Sequence, residues 1–439
     1  MRQKHTTQGS IFWFRPEHEI CGYLDQVDAW LNLHPELLDW VNDDIYGREL
    51  RCSGRDGMSC EQILRAALIK QYRQCSYRKL AFTLADSLSF QQFARVEPFN
   101  VPGKSALQAT ISRIQPATWE RMNQHFIRSM MACGFETGDR LRIDSTVAES
   151  HILAPTDSKL LYDAVRIMVR LLKRLKSQTQ VRYVDHRRRA KKNYFAAHCA
   201  KDDDSRCRHY KVLLKDVDAI RLSLCEALEV LKRQGNQTHW VEQIETLLPL
   251  VATVMDQTIR RVMKGESVPA GDKIVSLCEP HTDIIKKGGR EVQYGHKINL
   301  TSGRRGLIYD VVIEQGNPAD QTRLRPMLER HQDIYGSLPT EIAADGGYAT
   351  EGNLTAVKAM GIDNVAFHKR AGLSIEDMTG DDWLYRELTN FRAGIEAGIS
   401  YLKRCFGLKR IYWKGWDRFR ASIHLSIFTH NLIHWAHAQ

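Results

Sequence analysis

The sequence predicts a multidomain α/β protein with a mixed-sheet core, a helical N-terminal domain and a large helical insert after the first core strand. Three observations carry this. At 439 residues the chain exceeds what one compact core holds. A period-two segment at 140–146 stands between two stretches of helical period. Beyond residue 276, strand patterns and helix patterns alternate, as in a mixed α/β core. The boundaries expected are 1–139 for the N-terminal domain, 140–156 with 266–439 for the core, and 157–265 for the insert.

The N-terminal domain reads as short helices. Ser59 to Tyr72 repeats apolar residues at helical spacing, and Ser59 with Gln62 forms a capping-box pattern. Two further amphipathic stretches run from about Ser76 to Ala85 and from Lys104 to Ile114. Helices with exposed Arg and Lys suit a DNA-binding helix-turn-helix arrangement. The aromatics among residues 12–46 read as core.

Leu141 and Ile143 alternate with Arg142 and Asp144, which indicates a strand. From Asp157 the helical period returns, with Val165, Met168, Val169 and Leu172 in one stripe. Helices are also expected around Ile220–Leu231 and Trp240–Met255. Strand signals resume near Ser276. HKINLTS, a turn at Gly303–Gly306 and LIYDVVIE then form a hairpin. A helix from about Ala319 to Tyr335, a strand ending at Asp345, a helix near Glu351–Met360 and a strand at Asp363–Phe367 follow. Helices at 392–406 and 418–437 close the chain.

The formal charge of +11 is concentrated. Residues 1–140 carry 17 basic and 16 acidic side chains, whereas 157–265 carry 23 and 13. Eleven basic residues and one acid, Asp185, lie within 166–192. A field this dense favours a polyanion such as DNA, and Arg187, Arg188 and Arg189 are the expected phosphate contacts. A solvated helical face is the competing account. No apolar run approaches a membrane span, and the N-terminus lacks a signal-peptide pattern, so a cytoplasmic, nucleoid-associated protein with reduced thiols is expected.

Three acids stand out by position. Asp144 is on the first core strand, and Asp345 ends a later strand just before Gly346 and Gly347, where α/β folds bind ligands. Glu396 is on a helix. At 100° per residue, Arg392, Glu396 and Lys403 fall at about 0°, 40° and 20°, one narrow stripe beside the apolar Ile395, Ile399, Leu402 and Phe406. Carboxylates suit Mg²⁺, and two such ions roughly 3.5–4 Å apart stabilise both oxygens of a phosphoryl transfer. Arg392 and Lys403 would hold the DNA backbone.

RIDSTVAES (142–150), AADGGYATEGN (343–353) and NFRAGIEAGISYLKRCFGLKR (390–410) resemble the three acidic motifs of the DDE transposases of bacterial insertion sequences. Arg392, Glu396 and Lys403 match their R-E-K signature. Thr389 stands where some families have a tyrosine, so no tyrosine role is carried over. Segments 53–94 and 278–300 also resemble these enzymes, whereas 180–265 matches in composition more than in motif. The resemblance implies an RNase H-like mixed-sheet core. It implies Asp144, Asp345 and Glu396 as catalytic ligands of two Mg²⁺ ions, with Mn²⁺ as a substitute. The expected activity is cleavage at element ends and strand transfer into target DNA by a homodimer or larger synaptic complex. A metal-dependent nuclease without joining activity and an inactive DNA-binding relative are the alternatives.

Other constellations rank lower. His198, Cys199, Cys207 and His209 are too closely spaced for a regular zinc site. Asp320 is expected to cap the helix that follows it. Asp310 is the substitute for Asp144, and Asp283 ranks below it. The histidines of the C-terminal helix show no ligand spacing.

Overall fold

The computed structural model describes residues 4, 18–47, 57–235, 239–286, 291–369 and 371–439. The aromatics Phe12, Trp13 and Phe14, the start of the 53–94 motif (53–56) and residues 287–290 of the 278–300 motif lie outside them. The chain divides into two compact units, Met1–Glu149 with His296–Gln439, and Ser150–Gly295.

The first unit opens with seven helices: α1 (Glu19–Leu33), α2 (Glu36–Tyr46), α3 (Cys60–Tyr72), α4 (Tyr77–Asp86), α5 (Leu88–Phe93), α6 (Lys104–Ile111) and α7 (Pro116–Ala132). The capping box at α3 is present: Ser59 Oγ accepts from Gln62 N, and Gln62 Oε1 accepts from Ser59 N. Strand β1 (Arg140–Ser150) then leads to the second unit.

The second unit holds α8 (Asp157–Thr179), α9 (Arg187–Cys199), α10 (Asp203–Arg233), α11 (His239–Thr258) and the short strand β2 (Asp283–Ile285). Its core is the apolar face of α8, with Leu161, Val165, Met168 and Leu172, packed against Leu213, Ile220 and Leu224 of α10. The helix expected at 220–231 is the end of a 31-residue helix. The strand expected near Ser276 begins only at Asp283, where β2 pairs antiparallel with residues 293–295. Several charges of this unit are paired. Asp185 accepts from Arg187 (2.6 Å) and Lys173 (3.3 Å), and Asp163 pairs with Arg166 (2.9 Å). Arg189 binds Asp216, which is fully buried.

Strand β3 (Gln293–Ser302) carries the chain back into the first unit, followed by β4 (Ile308–Ile313), α12 (Leu324–Tyr335), β5 (Glu341–Ala344), α13 (Glu351–Ala359) and β6 (Asn364–Phe367). Then come α14 (Ile375–Met378), α15 (Asp382–Cys405), β7 (Arg410–Ile411) and α16 (Trp416–His437). The sheet runs β4-β3-β1-β5-β6, with β7 beside β1. The β3–β4 hairpin is antiparallel, and β1, β5 and β6 are mutually parallel. Apolar Ile298 and Leu300 alternate with polar residues along β3, yet the polar side is not a solvent face. Lys297, Asn299 and Thr301 are as buried as Ile298 and Leu300, so the strand is covered on both sides.

Two features fix the helices on this sheet. Ala343 of β5 and Ala366 of β6 are register partners, and their small side chains let α15 pack closely through Leu388 and Phe391. Helix α16 is buried around most of its circumference, as a central helix must be. Its Asn431 donates to Asn123 Oδ1 (2.7 Å) and to the Ile308 carbonyl (2.7 Å), and accepts from Ile308 N (2.8 Å). One side chain thereby ties α16 to α7 and β4.

Candidate active site

β1 and β5 are paired in parallel, with Ile143 opposite Ala344 as the last registered pair. Asp144 and Asp345 are the next residues along the two chains. Asp144 Oδ1 accepts from Ser145 N at 2.7 Å. Asp345 starts a 3-10 turn, Gly346–Tyr348, whose Tyr348 ring is fully buried. Burial holds the Tyr348 phenol far above its usual range, and the charges of Asp320, Asp144 and Asp345 add to this. The phenol stays protonated and donates to Asn299 Oδ1 at 3.3 Å.

Glu396 comes from α15. Arg392, one turn earlier, is buried, and its Nη1 lies 3.2 Å from Glu396 Oε1 and 3.4 Å from Asp345 Oδ1. Asp345 and Glu396 remain 45% and 59% exposed, open to an incoming ligand. Ile395, Ile399, Leu402 and Phe406 are buried, so the apolar side of α15 is the one read from sequence. Arg392 is directed at the acids. Lys403 is half-buried about two turns beyond Glu396.

Several side chains that support the acids were not singled out in the sequence. Arg142 of β1 is buried. Its Nη1 donates to the Phe391 carbonyl (2.9 Å), its Nε donates to Ser302 Oγ (2.7 Å), and its guanidinium covers the Phe391 ring at 4.7 Å. It passes directly over Gly394, where any Cβ would collide with the guanidinium. Asp320 does not cap the helix it was expected to cap. α12 starts at Leu324, and Asp320 instead forms an ion pair with buried Lys297 at 2.5 Å. Lys297 Nζ also donates to the Pro318 carbonyl (2.6 Å). A Cβ at Gly347 would stand 3.0 Å from Asp320 Oδ2, so glycine there lets the 318–320 segment close over the Asp345 turn. The sequence signal available was Lys297 itself, a charge inside an expected strand, which burial obliges to find a partner.

The other expected positions lie elsewhere. Asp310 of β4 is buried and pairs with Arg330 (2.5 Å), a structural role. His209 Nδ1 bonds Asn193 (2.9 Å) and Cys207 Sγ bonds the Val262 carbonyl (3.6 Å), and among the described residues no metal-ligand group includes them. Arg187 and Arg189 are engaged by Asp185 and Asp216, while Arg188 is exposed on α9. No helix among the described residues is long and apolar enough to cross a membrane.

Two family models match the chain. Residues 252–432 match the Transposase DDE domain and residues 22–113 match a Transposase domain, together more than half of the sequence. No curated protein and no solved structure matches significantly. Both matches define a transposase, which acts on DNA. The chain belongs to the insertion-sequence DDE transposases, a metal-dependent family.

Proposed function

We propose that this transposase cleaves DNA at the ends of its element and joins them to a target, with Asp144, Asp345 and Glu396 as the metal-holding acids. The observation that carries this is the Arg392 guanidinium within 3.4 Å of both Asp345 and Glu396, with Asp144 on the neighbouring parallel strand. The donor set is all oxygen, as Mg²⁺ prefers, and a cationic group already sits among the acids. The strand order β4-β3-β1-β5-β6, antiparallel hairpin first and parallel strands after, supports an RNase H-like core.

Two Mg²⁺ bound there would neutralise charge on the phosphodiester and activate the attacking oxygen. The chain's own residues set the geometry. Arg142 fastens α15 to β1, which fixes Glu396 relative to Asp144. Arg392 orients Glu396 and Asp345, and with Lys403 lies beside the scissile backbone. Buried Tyr348 and the Lys297–Asp320 pair form the floor under Asp345. Water attacks the phosphodiester at the element end and leaves a 3′-hydroxyl and a 5′-phosphate; the 3′-hydroxyl then attacks a target phosphodiester in line and expels the target strand's 3′-hydroxyl. The N-terminal helices (1–139) bind end DNA. The basic insert (157–265) grips backbone phosphates through Arg188, with Arg187 and Arg189 contributing less because each already holds a carboxylate. Two or more copies bring the ends together.

The test is a reaction of the purified chain with labelled element ends, a supercoiled target and Mg²⁺. Label joined to the target is the expected product. Cut ends with no joined product would leave a nuclease and overturn the strand-transfer reading.

A further inference from the structure

Three side chains of the N-terminal helices converge away from the acids. His34 ends α1, Glu36 begins α2, and His125 projects from α7. His34 Nδ1, Glu36 Oε1 and His125 Nε2 form a closed triangle with sides of 3.3, 2.9 and 2.8 Å. We propose that this triangle is a zinc site that ties the α1–α2 turn to α7.

The chemistry of the three atoms favours a metal. Two imidazole nitrogens and one carboxylate oxygen all offer lone pairs to the same point, and a proton can bridge only one edge of the triangle at a time. Zinc takes His nitrogen and Glu oxygen at roughly 2.0–2.2 Å in tetrahedral array, which separates ligand atoms by about 3.4 Å. The observed edges of 3.3, 2.9 and 2.8 Å need to open by about half an ångström at most edges, within reach of ring rotations. The frame is rigid. Pro35 separates His34 from Glu36, and the His34 ring packs on Trp30 at 4.3 Å while His125 meets Trp40 edge-on at 5.7 Å. The two nearby cations are turned to other partners, Arg121 over the Trp40 ring (4.0 Å) and Arg128 to the Ile334 carbonyl (2.9 Å). All three ligands are half-buried, which leaves a solvent position for a fourth ligand. The three ligands come from α1's end, α2 and α7, so a bound ion would link these helices and involve none of the three acids.

The test uses the full-length, tag-free chain stripped of metal and titrated with Zn²⁺, then with Co²⁺ as a coloured probe, in excess Mg²⁺ to occupy carboxylate sites. One equivalent of Zn²⁺ is expected to bind and to raise the melting temperature, and Co²⁺ should give the intense visible bands of tetrahedral coordination. His125→Gln and Glu36→Gln should each weaken Zn²⁺ binding by at least about tenfold, since even outer-shell changes commonly cost that much. Melting of the metal-free variants close to that of the metal-free wild type would confirm that they fold. Failure of the wild type to bind Zn²⁺ under excess Mg²⁺, or binding by both folded variants as tight as wild type, would overturn the proposal.

Discussion

Arg142 donates to the main-chain carbonyl of Phe391 at 2.9 Å, so one side chain joins the strand of Asp144 to the helix of Glu396. The guanidinium lies in the space a side chain at position 394 would need. Gly394→Ala should therefore displace Arg142, destabilise the fold by about 1–3 kcal/mol and lower cleavage sharply. Gly398, on the same helix, has nothing within 4 Å of its would-be Cβ. Gly398→Ala should stabilise by up to about 1 kcal/mol, as alanine does within a helix. Urea unfolding of the pair checks this, and equal effects at the two positions would show that Arg142 is not the cause.

Within the basic insert, neighbouring arginines should behave differently. Asp216 is fully buried and bound by Arg189, whereas Arg188 is exposed. Arg189→Gln should destabilise by about 1–3 kcal/mol, because a buried carboxylate loses its charged partner. Arg188→Gln should stay within about 0.5 kcal/mol of wild type. In filter-binding assays at moderate salt, Arg188→Gln is instead the variant expected to weaken DNA binding. Thermal melts that rank the two variants in the opposite order would contradict this division of roles.

Much of this was legible in the sequence, and the reasons are local. The Ser59–Gln62 capping box, the 303–306 hairpin turn and the buried stripe of the Glu396 helix depend on residues within one or two turns of each other. Partnerships between distant residues were not legible. Neither Arg142 with Phe391, nor Lys297 with Asp320, nor Arg189 with Asp216 follows from periodicity, since each pairs residues brought together by the fold. A charged residue between apolar neighbours signals only that a partner is required. Asp320 shows the ambiguity: a position suited to helix capping is used for an ion pair with a strand lysine.

Acid should weaken the fold before it affects most surface charges. Burial lowers His331 to about 4 and lowers His424 and His430 to about 3, all in the first unit. An unfolded histidine takes up a proton near pH 6.5, while these stay neutral when folded. Their contribution is thus fully present above pH 6.5 and is lost as pH falls toward 4. At pH 5 the loss is about 2 kcal/mol for each group. Glu120 and Glu136, raised by burial, act in the opposite direction and offset part of it. Urea midpoints should be lower at pH 5 than at pH 7, and unchanged midpoints would show that the three rings are not neutral in the fold.

In the proposed function, Asp144, Asp345 and Glu396 hold the metal ions of a phosphoryl-transfer site. The most direct measurement compares end cleavage in Mg²⁺ by wild type, Asp144→Asn, Asp345→Asn and Glu396→Gln, with gel-shift binding of the same end DNA. Each substitution keeps side-chain shape and removes the charge, so cleavage should fall by more than about a hundredfold while DNA binding is largely retained. Cleavage by Asp345→Asn within about tenfold of wild type would contradict the claim.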